Sequence, residues 1–143
     1  MTSVSDLPGC RQISLPCHSD ARGRLYPLDL RGLAGFDASR LFIITVPDDP
    51  TGIRRAGHSN STPEVLIVMA GRVTVDLDSG ADLATQVLDR PGLALLVGPG
   101  VLIHLREFAP GTVLLGLAEA PYAESRQFPA PKPALFAVEA AST

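Results

Sequence analysis

Between Gly52 and Gly71 the sequence reads Gly-Ile-Arg-Arg-Ala-Gly-His-Ser-Asn-Ser-Thr-Pro-Glu-Val-Leu-Ile-Val-Met-Ala-Gly, and several side chains able to do chemistry are spaced along it. His58 carries an imidazole, which titrates near neutral pH and can both take and return a proton. Glu64 offers a second acid or base, or a partner that orients the imidazole. Asn60 does not titrate, and its amide suits a hydrogen bond to a carbonyl or enolate oxygen. Arg55 has a forked guanidinium suited to an anionic group such as a diphosphate. Positions 58 and 60 are two apart, so on a strand both point to one face.

The elements that must hold these groups read as strands. In the run 72–78, Val73, Val75 and Leu77 alternate with Thr74, Asp76 and Asp78, the period of a half-buried strand. The apolar run 65–70 precedes it across Gly71-Arg72 and predicts a hairpin. Further strands are expected over 12–15, 23–30, 40–46, 85–88, 93–97, 101–106 and 112–118. Thirteen Gly and thirteen Pro are spread along the chain and punctuate these runs as turns. No stretch before Tyr122 holds a 3.6-residue apolar stripe for three turns. The fold expected is all-β, a barrel or jelly roll. One domain is expected, with an N-terminal tail over 1–9, a β-barrel over 10–128 and a Pro/Ala-rich tail over 129–143 that wraps the barrel or ends in disorder.

The 143 residues are 45% hydrophobic and 19% charged, which supplies one packed core. A net charge of −3 argues against a nucleic-acid partner, which favours a basic stripe. No apolar run approaches the roughly 18 residues of a membrane span. The first residues lack the basic-then-apolar layout of a secretory signal, so a cytoplasmic location is expected. Cys10 and Cys17 have no histidine at a motif spacing and are expected to be free thiols; His18, beside Asp20, reads as a loop histidine.

The run 52–71 resembles the first cupin motif, with Gly52, His58, Glu64 and Gly71 in register and Asn60 where a second histidine belongs. The second cupin motif is half present. Gly92 and Gly100 match, Ile103 stands at the metal-ligand position, and His104 comes one residue late, which on a strand means the opposite face. The chain is similar to one cupin branch in particular, the 3,4-ketoisomerases of dTDP-4-keto-6-deoxyglucose. Asp20-Ala-Arg-Gly-Arg-Leu25, Arg55-Ala-Gly-His58-Ser-Asn60, Leu88-Asp-Arg-Pro91, Phe108-Ala-Pro110 and Ala118-Glu-Ala-Pro-Tyr122 occur in the branch's order, from about residue 11 to about 128.

That resemblance implies an RmlC-like jelly roll, a homodimer, and a pair of histidines acting as acid and base with a tyrosine on the preceding strand. Here Asn60 replaces one histidine, and the strand 40–46 offers Phe42 and Thr45 in place of tyrosine. The function expected is a biosynthetic cupin isomerase that needs neither metal nor cofactor. His58 and Glu64 would move the proton, with Asn60 steadying the oxyanion and Arg55, Thr45, Phe42, Tyr122 and His104 contacting substrate. Two alternatives share the fold: a cyclase of a polyketide-like intermediate, and a binder of small molecules without catalysis.

Overall fold

A computed structural model describes residues 2–136. Twelve strands and one short helix follow one another along the described chain: β1 (Arg11–Ser14), β2 (His18–Asp20), β3 (Gly23–Leu25), α1 (Leu30–Ala34), β4 (Arg40–Thr45), β5 (Arg55–Asn60), β6 (Glu64–Ala70), β7 (Val73–Asp78), β8 (Leu83–Leu88), β9 (Leu93–Val97), β10 (Leu102–Arg106), β11 (Val113–Ala118) and β12 (Gln127–Phe128). One five-stranded sheet has the order β1-β9-β6-β11-β4, and a second the order β12-β5-β10-β7-β8. A two-stranded hairpin, β2–β3, stands apart from both.

The sheets differ in how they are buried, and the sequence explains the difference. Val73, Val75 and Leu77 face a core that also holds Leu66, Val68, Leu95, Ile103, Leu105 and Leu114. The other face of β7 carries partly exposed Asp76 and Asp78, hence its strict alternation. Strands β6 and β9 are apolar almost without a break because both of their faces are covered. Val65, Ile67, Ala94 and Leu96 pack with Ile13, Phe36 and the segment bearing Leu28, Leu30 and Leu33.

Two expectations need correction. Strands β6 and β7 are not a hairpin, because each belongs to a different sheet and Gly71-Arg72 is the corner between them. Gly71 adopts φ 80°, and a Cβ there would come within 2.3 Å of the Thr112 hydroxyl, which ties both the N–H and the C=O of Arg72. Burial of each run's apolar face between two sheets outweighs the short connection that suggested pairing. The strand expected over 23–30 ends at Leu25. Asp29 then caps α1, accepting from the Gly32 N–H, and Gly35 closes it in the left-handed region at φ 81°.

The last described residues lie on the second sheet. The Ser59 hydroxyl donates to the Ala130 carbonyl at 2.7 Å, the Lys132 N–H donates to the Gly100 carbonyl at 2.8 Å, and Phe136 packs on the core. Of the tail expected over 129–143, residues 137–143 lie outside the described part. No helix among the described residues is long and apolar enough to cross a membrane.

Candidate active site

The inward faces of β4 and β5 line a cavity of about 290 Å³ between the sheets, and His58, Glu64, Arg55, Arg40 and Phe42 all border it. Alternation selects the β4 contributors. Arg40, Phe42 and Ile44 are half-buried, whereas Leu41, Ile43 and Thr45 are exposed. Phe42 and Thr45 are three residues apart, so on a regular strand only one can face in. Phe42 does. Thr45 is exposed on the outer face, which corrects its expected contact with substrate.

On β5 the spacing runs the other way, since Arg55 and His58 are also three apart and both border the cavity. A bulge reconciles them. Ile103 of β10 pairs with His58, His104 with Ala56, and the register shifts between, leaving Gly57 as the extra residue. Ala56 and Gly57 sit at φ 65° and φ 85°, the left-handed backbone that the extra residue requires. The bulge rephases β5, not β10, so Ile103 and Leu105 face inward and His104 outward. His104 does not border the cavity; it pairs across the sheet with Asp76, whose carboxylate accepts from Arg106 Nε at 2.6 Å and from the Thr85 hydroxyl at 2.8 Å. Its expected place among the substrate contacts is therefore corrected.

Burial disfavours charge on both cavity acid–base groups, with opposite consequences. It lowers the His58 pKa below the ordinary imidazole value, aided by the neighbouring Arg40 and His104 side chains and opposed by the backbone of Ala56. It pushes the Glu64 carboxyl up to about 7, against the pull of the Arg40 guanidinium. Near neutral pH the cavity is thus bordered by a neutral imidazole and by a carboxyl that still holds its proton part of the time. Two titratable groups pushed toward their neutral forms border one cavity.

The remaining expected residues divide. Asn60 faces inward on β5 but is only 3% exposed and does not border the cavity; its Oδ1 is buried without a partner. Tyr122 is 77% exposed and reaches the site only through Arg40, whose guanidinium carbon lies 5.7 Å from its ring. Arg55 borders the cavity as an exposed side chain. Sequence reasoning missed Arg40 and Gln127. Arg40 had a signal, since it stands two residues before Phe42 on the same strand and must share its face; Gln127 arrives on β12, too short to read from pattern. Among the described residues no three His, Cys, Asp or Glu side chains gather as a metal would require. An amide at position 60 and an aliphatic at 103 make the cupin ligand positions a poor donor set.

Two facing antiparallel sheets enclosing a largely apolar cavity, with a few polar side chains at its border, define a cupin jelly roll. Residues 8–128 match the family described as FdtA: WxcM-like, C-terminal, and the chain belongs to that family. Among solved structures it is similar to the QdtA 3,4-ketoisomerase from Thermoanaerobacterium thermosaccharolyticum, a double mutant in complex with TDP. Identity there is 31%, the TM-score is 0.75, and the match covers 80% of this chain and 82% of that one. It is also similar to the WlaRB TDP-quinovose 3,4-ketoisomerase from Campylobacter jejuni, at 29% identity and a TM-score of 0.73 over 79% of this chain and 86% of that one. The Mycobacterium tuberculosis RmlC epimerase shares the fold, at 18% identity and a TM-score of 0.70 over 91% of this chain and 74% of that one. No curated protein sequence matches the chain.

Proposed function

We propose that this chain is a sugar 3,4-ketoisomerase-type enzyme of deoxysugar biosynthesis, acting on a nucleoside-diphosphate 4-keto-6-deoxy sugar through His58 and Glu64. The carrying observation is that an imidazole and a buried carboxyl border one cavity, with burial lowering the imidazole and raising the carboxyl to about 7, so that their ordinary order is reversed. Membership of the family and likeness to two 3,4-ketoisomerases support an isomerase-like enzyme. The QdtA structures hold TDP or TDP-4-keto-6-deoxyglucose, which supports a nucleotide sugar as ligand.

The reaction needs a hydrogen moved from one carbon to its neighbour while the carbonyl moves the other way. Neutral His58 takes the proton from carbon 3; the C–H electrons form the carbon 3–carbon 4 double bond as the Glu64 carboxyl gives its proton to the oxygen on carbon 4. The enediol then collapses in reverse sense. Glu64 recovers a proton from the oxygen on carbon 3, which becomes the ketone, and His58 returns its proton to carbon 4. Both groups end as they began, so no metal or redox cofactor is needed. Arg55, exposed at the cavity edge, takes the diphosphate, and Phe42, Ile44 and Leu66 keep bulk water from the enediol.

The chain acts as a homodimer in this reading. Leu41, Ile43 and Met69 leave an exposed apolar strip on the outer face of the first sheet, and Leu25 is exposed on the β2–β3 hairpin. Light scattering at micromolar concentration tests this, and a monomer mass would refute it. The apolar cavity walls also suit a cyclase of a polyketide-like intermediate. Incubation with TDP-4-keto-6-deoxyglucose and NMR of the product separates the two. A 3-keto product is expected, at an undiminished rate after exhaustive chelation. Recovery of unchanged substrate would refute the isomerase reading, and loss of turnover in EDTA reversed by one divalent ion would refute metal independence.

A further inference from the structure

Arg40 is more than half of an ion pair. Its Nη2 lies 3.4 Å from Glu64 Oε2, longer than the roughly 2.7–2.9 Å of a closed charge-assisted bond, and the contact is single rather than forked. Its Nε is buried and has no hydrogen-bond partner. The side chain is only 18% exposed, so water supplies little of what is missing. The Nε is sealed off, so a ligand meets the guanidinium at its loosely paired Nη end, and a half-enclosed cation with so weak a partner favours a further acceptor. Yet the group is well held, with its central carbon 5.5 Å from the Phe42 ring and 5.7 Å from the Tyr122 ring. It borders the same cavity as His58 and Glu64.

We propose that Arg40 is the oxyanion-binding residue of the site, donating to the substrate oxygen on carbon 4, where negative charge develops in the transition state ahead of the full transfer of the Glu64 proton. This rests on the isomerase reading and supplies what that reading lacked. The amide expected to steady the oxyanion, Asn60, does not border the cavity, whereas Arg40 does. Rings on two sides fix the guanidinium before substrate arrives, and a donor positioned in advance loses least to reorganisation. Its place selects a sugar oxygen over the diphosphate. Arg40 is largely enclosed, where a multiply charged anion would lose its hydration, while exposed Arg55 offers the diphosphate a cation with no salt bridge among the described residues. Arg40 thus reads the reacting end of the ligand and Arg55 the nucleotide end.

The test compares two ligands by calorimetry in a His58→Ala protein, which holds the keto sugar without converting it. Arg40→Gln should weaken TDP-4-keto-6-deoxyglucose by roughly 10-fold or more, the effect of losing one charge-assisted bond, and leave TDP within about twofold. Arg40→Lys should lie between, because it keeps charge without the fork, and it serves if the Gln variant does not fold. Equal losses for both ligands would place Arg40 on the diphosphate and overturn the proposal. Unchanged affinities with a lower melting temperature would make it structural and overturn it equally. If the unmutated protein binds TDP but leaves the keto sugar unconverted, the isomerase reading fails, while the difference between the two ligands still decides the role of Arg40. A parent protein that binds neither ligand overturns both.

Discussion

The second sheet carries a histidine on each of its two faces where β5 meets β10, and the two have different surroundings. His58 points into the cavity, where burial and the Arg40 charge favour its neutral form. His104 pairs with Ala56 across the bulge and lies beside Asp76 and Arg106 on the outer face. One alternation step on β10 and one inserted residue on β5 separate a candidate base from an outer-face neighbour of the Asp76–Arg106 pair. The residue type sets what a side chain can do; its face decides whether substrate can reach it.

The sharpest way to break this contrast is to remove each imidazole. His58→Ala should lower kcat by roughly 10²–10⁴-fold, the range for losing a general base, with the far-ultraviolet spectrum unchanged. Glu64→Gln keeps the shape and loses the acid, so kcat should fall by a comparable factor, roughly 10²–10⁴-fold. It should also erase the alkaline limb of the pH profile. In the unmutated enzyme, activity should rise as pH passes upward through the depressed His58 pKa and fall through about 7 as Glu64 ionises.

The same carboxyl makes a stability prediction. Its folded pKa lies above the unfolded value of 4.5, so the folded state binds the extra proton between 4.5 and about 7. Stability is therefore fully present below 4.5 and declines as pH rises to about 7, by on the order of 3 kcal/mol for a shift of this size. Urea midpoints at pH 5 and pH 8 should show that decline, and Glu64→Gln should remove it. An equal decline in the variant would assign the pH dependence to another group.

Smaller effects probe the outer face and the bulge. Gly57→Ala should cost about 1 kcal/mol, since a Cβ is disfavoured at φ 85°, although it would meet the His104 ring only at an ordinary 3.6 Å. His104→Ala should leave kcat/KM within about twofold, because the side chain does not border the cavity. A large loss in His104→Ala would erase the distinction between the two faces.

Much of this was legible in the sequence because one-sided burial writes alternation into a strand. Residues 72–78 show it, and the spacing of Gly52, His58, Glu64 and Gly71 placed the two acid–base candidates. Pairing was less legible. The runs flanking Gly71 look like a hairpin, and nothing local states that each prefers a different sheet. Thr45 and Phe42 were offered together although strand geometry allows only one of them inside. Arg40 was overlooked because an arginine opening a strand usually marks a solvated end. Its role emerges only when Glu64, Phe42 and Tyr122 are brought round it from distant parts of the chain. The bulge that turns Arg55 toward His58 had a trace in Gly57, but a lone glycine does not tell which strand will be rephased.

In the proposed reaction His58 removes the hydrogen on carbon 3 of a 4-keto sugar nucleotide. Proton NMR of TDP-4-keto-6-deoxyglucose in D₂O follows that hydrogen directly, with the unmutated and His58→Ala proteins side by side. Loss of the carbon 3 signal and appearance of the 3-keto product are expected with the unmutated protein, both slowed by roughly 10²-fold or more in the variant. Loss of that signal at the same rate with both proteins would contradict that role of His58.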